Sequence, residues 1–164
     1  MSNFLKVKDN DARYITGFVH GEGSFNVSFV RRKDYANKIK IVASFNITQK
    51  EKNILEWIQS ILKCGTIRPR KDGVYYFEVQ DQKSLAEIII PFFDKYELKT
   101  KKLNAYKVFK EIVLLISQKY HLTNEGIIKI FRLREKVKVS RKRKLSFSKL
   151  LETLGESSET TRQT

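Results

Sequence analysis

The stretch Tyr14-Ile15-Thr16-Gly17-Phe18-Val19-His20-Gly21-Glu22-Gly23-Ser24-Phe25 contains a helix, its end and the start of a strand. Tyr14, Ile15, Phe18 and Val19 recur at helical spacing until Gly21 and Gly23 break the pattern. Asp9, Asn10 and Asp11 just upstream are good N-caps, so a short first helix is predicted. Gly17 and Gly21 fall on one helical face, where the missing side chain lets another backbone come close. Glu22 sits where the helix ends, and the helix dipole disfavours a carboxylate there. A divalent cation would offset that conflict, and magnesium beside a phosphate suits an oxygen ligand of this kind. The plain alternative is a solvated turn residue between two loop glycines.

Downstream of Glu22 the period changes from helical to alternating. In Ser24 to Arg32, Phe25, Val27 and Phe29 alternate with Asn26, Ser28 and Val30; a polar turn at Lys33 to Asn37 follows. Ile39, Ile41, Ala43, Phe45 and Ile47 then share one face, and Lys38, Lys40, Ser44, Asn46 and Thr48 the other. Ile54 to Leu62 returns to helical spacing and Gly65 closes it. Thr66 to Arg70 and Val74 to Gln80, joined by Lys71-Asp72-Gly73, predict a second hairpin. Ser84 to Phe93 reads as a helix interrupted by Pro91, followed by helices over Lys101 to Ser117, Asn124 to Lys138 and Ser146 to Leu154. Residues 1–155 form one domain in this reading, and Glu156 to Thr164 is a disordered polar tail.

The expected class is α+β, with one antiparallel sheet of four strands buried on one side under helices. The other side would display Asn26, Ser28, Arg32, Lys38, Lys40, Ser44, Asn46, Thr48, Arg68, Arg70, Tyr76, Glu78 and Gln80. Such side chains reach base edges and phosphates, and a strand ribbon fits the major groove of a duplex. Any wet sheet face is polar, but a merely solvated one mixes charge signs. Here only Glu78 is acidic.

The whole chain leans the same way: 33 Lys and Arg against 18 Asp and Glu leave a net charge of +15 over 164 residues. A polyanionic partner follows, and nucleic acid is favoured over a membrane because no apolar run is long enough to span. The single cysteine, Cys64, has no internal disulfide partner, and His20 and His121 stand too far apart for a zinc cluster. These features point to a reducing, intracellular setting. The first residues resemble neither a secretory nor a transit peptide, which suggests work in the compartment of synthesis, an organelle or a bacterial cytoplasm.

The opening stretch resembles the LAGLIDADG signature of homing endonucleases in the form G-F-x-x-G-E-G-S-F, and the resemblance covers about Arg13 to Ala105. It implies the αββαββα fold with extra C-terminal helices and a divalent ion, Mg2+, held by Glu22 and the Gly21 backbone. Phe45-Asn46-Ile47-Thr48-Gln49 is similar to the strand end that places a glutamine near the attacking water, which makes Gln49 the candidate. Leu98-Lys99-Thr100-Lys101-Lys102-Leu103-Asn104-Ala105 is similar to L-K-x-K-x-x-N-A, whose first lysine, here Lys99, is the active-site base or charge stabiliser. Lys52 is a further candidate near the scissile phosphate, and Arg68 and Arg70 match basic positions on the third strand. One signature implies a homodimer joined through Ile15, Gly17, Phe18 and Gly21, with both Glu22 side chains at the twofold axis.

The implied activity is a double-strand break in a long, nearly palindromic DNA site, promoting mobility of a host intron. Rival readings are a non-catalytic binder on the same scaffold, either an intron RNA maturase or a DNA-binding regulator, and an ordinary basic RNA-binding protein. Two departures stand out. His20 replaces an acid found in many members two residues before the metal ligand, and Lys136, Lys138, Arg141, Lys142, Arg143 and Lys144 map onto nothing in the pattern. Asn124-Glu125-Gly126 looks superficially like a second signature but reads as a helix start.

Overall fold

The computed structural model describes residues 6–137 and 145–162. Helix α1 (Asp9–Glu22) runs directly into β1 (Gly23–Arg31), which pairs antiparallel with β2 (Ile39–Gln49). Helix α2 (Lys52–Leu62) leads to the hairpin β3 (Thr66–Pro69) and β4 (Tyr75–Val79). The sheet order is β1-β2-β4-β3, so β2 and β4 form its centre and Pro69, which donates no ladder bond, lies on an edge strand. The α+β class, the four-stranded antiparallel sheet and the later helices agree with the expectation.

After the second hairpin come α3 (Gln82–Ser84), a π-helical turn over Leu85–Ile89, and α4 (Ile90–Lys95). Pro91 therefore does not interrupt the helix as its sequence suggests. In the π turn the Ile90 N–H bonds to the Leu85 carbonyl, five residues back, and Pro91 takes the first turn of α4, where its missing N–H costs nothing. Helix α5 (Thr100–Ser117), a 3-10 turn at Tyr120–Leu122, α6 (Asn124–Glu135) and α7 (Phe147–Arg162) complete the fold. Thr123 caps α6 by accepting from the Gly126 N–H, so Asn124 does begin a helix.

Other boundaries moved. The N-cap of α1 is Lys8, and Asp9 and Asp11 lie in its first turn, where they complement the dipole. Gly21 stays helical, and α1 ends only at Glu22. Lys63, in the left-handed conformation, caps α2. Gly65 serves the next turn, because a Cβ there would lie 2.7 Å from the Phe77 ring. Helix α7 continues past Gly155 to Arg162, since extending a helix already anchored by buried Leu150 and Leu154 is easier than nucleating one.

The core lies between the sheet and the helices. Ile39, Ile41, Ala43, Phe45 and Ile47 of β2 are all buried, as their alternation requires. Phe25 stacks on Phe45 at 5.3 Å and meets Phe109 of α5 at 5.2 Å, and Phe93 of α4 closes on Phe45 at 5.5 Å. Burying aromatic rings of this size contributes about 1.5–3 kcal/mol each and fixes how the helices sit on the sheet.

Candidate functional site

Two helical faces of α1 have different fates. Ala12, Ile15 and Val19 are fully buried in the chain's own core, so Ile15 is unavailable for contact with a second copy. The outer stripe is Tyr14, Gly17, Phe18 and Gly21, at the i, i+3, i+4, i+7 spacing. A Cβ built on Gly17 or Gly21 meets nothing within 4 Å. Tyr14, 57% exposed, stacks on half-buried Phe18 and sets an edge against Trp57. The helix thus presents an apolar, bump-free ridge to the outside.

At the end of that ridge Glu22 is exposed, and no described residue donates to its carboxylate. Gly23 pairs with Ile47, and because the strands are antiparallel, stepping back to Glu22 means stepping forward toward Gln49 on β2. Gln49 lies two residues, about 7 Å, beyond Ile47. It is half-buried, and its side-chain oxygen accepts from the Lys50 N–H at 2.8 Å.

The segment between α4 and α5 runs along α1 and brings the lysines to the same end. The Tyr96 hydroxyl donates to Asp9 at 2.8 Å, and Thr16 donates to the Tyr96 carbonyl at 3.3 Å. The His20 Nε2 lies 3.1 Å from the Lys99 carbonyl oxygen, so His20 fastens this segment to the helix end. The exposed Lys99 ammonium meets Glu97 at 3.3 Å. Sequence reasoning missed Lys102: its half-buried ammonium donates to the Gly23 carbonyl, beside Glu22, and burial holds its pKa below the ordinary lysine value. Three lysines lie within Lys99 to Lys102, and nothing in their spacing marks the one that folds back.

Ligand chemistry at this point is all oxygen: the exposed Glu22 carboxylate and the last carbonyls of α1, which have no helical donors. That donor set fits a hard divalent cation. No group of three or more His, Cys, Asp or Glu that could hold a metal occurs among the described residues. Cys64 takes no part, since burial pushes its thiol up to about 12 and keeps it un-ionised.

The uncovered sheet face is assembled by register. Ser24 stands opposite Asn46, Asn26 opposite Ser44, Ser28 opposite Val42, Asn46 opposite Glu78, Thr48 opposite Tyr76, and Arg68 opposite Tyr76. Ser44, Asn46 and Glu78 are buried within this polar layer and bonded to neighbours, so they are not the open contacts that alternation alone suggests. Lys40, on β2, is half-buried. Several expected members lie just outside the strands: Arg32 pairs with Asp34 at 2.8 Å, Lys38 sits in the turn with φ 55°, and Arg70 pairs with Asp72 at 3.0 Å. Lys52 starts α2 and pairs with Glu56 at 2.7 Å.

Lys136 is exposed after α6; Lys138, Arg141, Lys142, Arg143 and Lys144 lie outside the described residues. Among those described, no helix is long and apolar enough to cross a membrane.

Comparison with known proteins agrees with the fold. The family model described as LAGLIDADG endonuclease matches residues 15–113. "Homing endonuclease I-ApeII" of Aeropyrum pernix is 28% identical over 149 residues, 86% of this chain and 88% of that protein. "Probable intron-encoded endonuclease 2" of Neurospora crassa is 37% identical over 125 residues, 74% of this chain but 28% of the longer protein. Among solved structures, the archaeal intron-encoded homing endonuclease I-Vdi141I complexed with DNA superposes with a TM-score of 0.85 at 26% identity, covering 92% of this chain and 98% of that one. I-SmaMI bound to uncleaved DNA in the presence of calcium ions gives 0.78 at 30% identity, over 92% of this chain and 50% of that one.

Proposed function

The chain belongs to the LAGLIDADG endonuclease family, and from that premise we propose that it is a homing endonuclease that cuts both strands of a long, nearly palindromic DNA site as a homodimer. It acts inside the cell, where it is made, whether organelle or bacterial cytoplasm, and serves the mobility of its host intron. The observation that carries this reading is the exposed Glu22 carboxylate, to which no described residue donates, at the end of a helix whose outer ridge is open to a second copy. Two copies joined along Tyr14, Gly17, Phe18 and Gly21 bring two Glu22 side chains together, and two copies of the basic sheet face lie along one duplex.

Within each half, Glu22 and the Gly21 carbonyl would hold a divalent ion, Mg2+ in the cell. When bound, that ion supplies charge stabilisation to the phosphate oxygens. Gln49 orients the attacking water from the end of β2. Lys99, exposed, and Lys102, tethered at Gly23, supply positive charge where the phosphodiester becomes more anionic. Arg68, Arg70, Lys40, Lys52 and the strand side chains hold the duplex in register through phosphates and base edges.

The test is a selection of cleaved duplexes from a randomised library, with magnesium and with chelator, using wild type and Glu22→Gln. The expected result is one long, nearly symmetric site cut in both strands by wild type with metal alone. Double-strand cutting by Glu22→Gln at saturating magnesium would remove Glu22 from the reaction.

A further inference from the structure

The sheet face just assigned to DNA carries an acid at its centre. Glu78 lies opposite Asn46 across β2–β4 and opposite Thr66 across β3–β4, and it is 8% exposed. A carboxylate set against a polyanion opposes binding, and reading a cytosine amino group would need free lone pairs. Those lone pairs are largely engaged. Oε2 accepts from Arg68 Nη2; Oε1 accepts from Gln80 Nε2 at 2.9 Å and from the Tyr76 hydroxyl at 3.4 Å. Three donors, Arg68 on β3, Tyr76 on β4 and Gln80 just after it, converge on one buried group.

Each donor keeps another polar edge. The Arg68 side chain is 62% exposed and retains its remaining guanidinium N–H groups, and exposed Gln80 retains its amide oxygen and second amide hydrogen. The half-buried Tyr76 hydroxyl donates to the carboxylate and keeps acceptor capacity on its oxygen; burial and the neighbouring Glu78 raise its pKa. Asn46, beside Glu78, supports the first hairpin in the same way: its Oδ1 accepts from Ser24 and from Asn26 at 3.2 Å, and its Nδ2 donates to Ser44 at 3.4 Å. Asn46 and Glu78 in the middle of this face are buried and bonded to their neighbours, while Arg68 and Gln80 beside them are exposed.

We infer that Glu78 is a positioning residue for sequence specificity, which meets no base itself and fixes the direction in which Arg68, Gln80 and Tyr76 face the groove. A long side chain clamped at one end loses its rotamer freedom before the duplex arrives, and discrimination between bases depends on that preset direction. The inference rests on the reading of this face as a duplex-binding surface.

The experiment is a selection of bound duplexes from a random library in chelator, for wild type, Glu78→Gln, Glu78→Asp and Arg68→Ala, with affinity followed against salt. Glu78→Gln frees a cation, so it binds unrelated duplex more tightly and its salt slope steepens by about one. Its base preference falls about tenfold at the positions where Arg68→Ala also loses preference. Glu78→Asp keeps the charge but shortens the arm, so it loses the same preference with an unchanged salt slope. Should Glu78→Gln not fold, Glu78→Asp decides. Wild-type preferences in a folded Glu78 variant overturn the inference while leaving the DNA-binding face intact. A wild type that selects no duplex overturns both.

Discussion

The His20 Nε2 lies 3.1 Å from the Lys99 carbonyl oxygen and ties the last turn of α1 to the residue before α5. An imidazole N–H donates to a carbonyl whether or not the ring carries a second proton. The contact therefore gives His20 a tethering role through Nε2.

His20→Ala should lower the cleavage rate by about fivefold, the worth of one ordinary hydrogen bond, and leave the pH dependence of cleavage unchanged. A loss of about a hundredfold or more, with a shifted pH profile, would instead make His20 a general acid or base.

Gly17 and Gly126 should respond in opposite ways. A side chain at Gly17 meets open space, so Gly17→Ala should stabilise the isolated fold by up to about 1 kcal/mol, and the bulkier Gly17→Leu should fold but sediment as a monomer. At Gly126 a Cβ would lie 1.8 Å from the Tyr120 carbonyl oxygen, so Gly126→Ala should destabilise by roughly 1–3 kcal/mol in chemical denaturation. A Gly17→Leu protein that remains dimeric would move the interface away from α1.

Tyr106 is buried and shares its one hydroxyl proton between the Ile90 carbonyl and Asp94, each at 2.8 Å, while Lys110 pairs with Asp94 at 2.6 Å. Burial, with Asp94 alongside, raises its pKa well above the usual phenol value. Tyr106→Phe should cost about 1–3 kcal/mol in unfolding free energy by removing the hydroxyl donor from the buried contact with the Ile90 carbonyl. Duplex affinity of the folded variant should not change; a weakened affinity would give this residue a part in recognition that its location does not suggest.

His121 links stability to pH. Burial lowers its folded pKa below 6.5, with the Ile116 backbone working in the opposite sense. Near neutral pH both folded and unfolded states hold it uncharged; as pH falls through 6.5 the unfolded state takes up the proton first, so stability drops. His121→Gln should flatten that part of the stability curve between about pH 7 and 5 in denaturant titrations. An unchanged acid limb would assign the loss to other groups.

Local pattern determined a great deal. The two hairpins, the helical period of α1, α2 and α5, the basic face and the isolated carboxylate at Glu22 follow from residues a few positions apart, because pleat and helix set which neighbours share a side. Tertiary structure decided the rest. Ile15 and Phe18 look alike in sequence, but only docking of α1 on the sheet turns Ile15 wholly inward. Pro91 reads as a breaker until the π turn shifts the carbonyl it would strike. Lys102 cannot be told from its lysine neighbours until α5 packs beside β1 and aims it at Gly23, and Glu78 counts as a displayed acid until Arg68, Tyr76 and Gln80 close around it. For Ile15, Lys102 and the Arg68 bond to Glu78 the deciding partner lies on another element or the far side of a turn, and packing and strand pairing rather than chain periodicity bring it within reach.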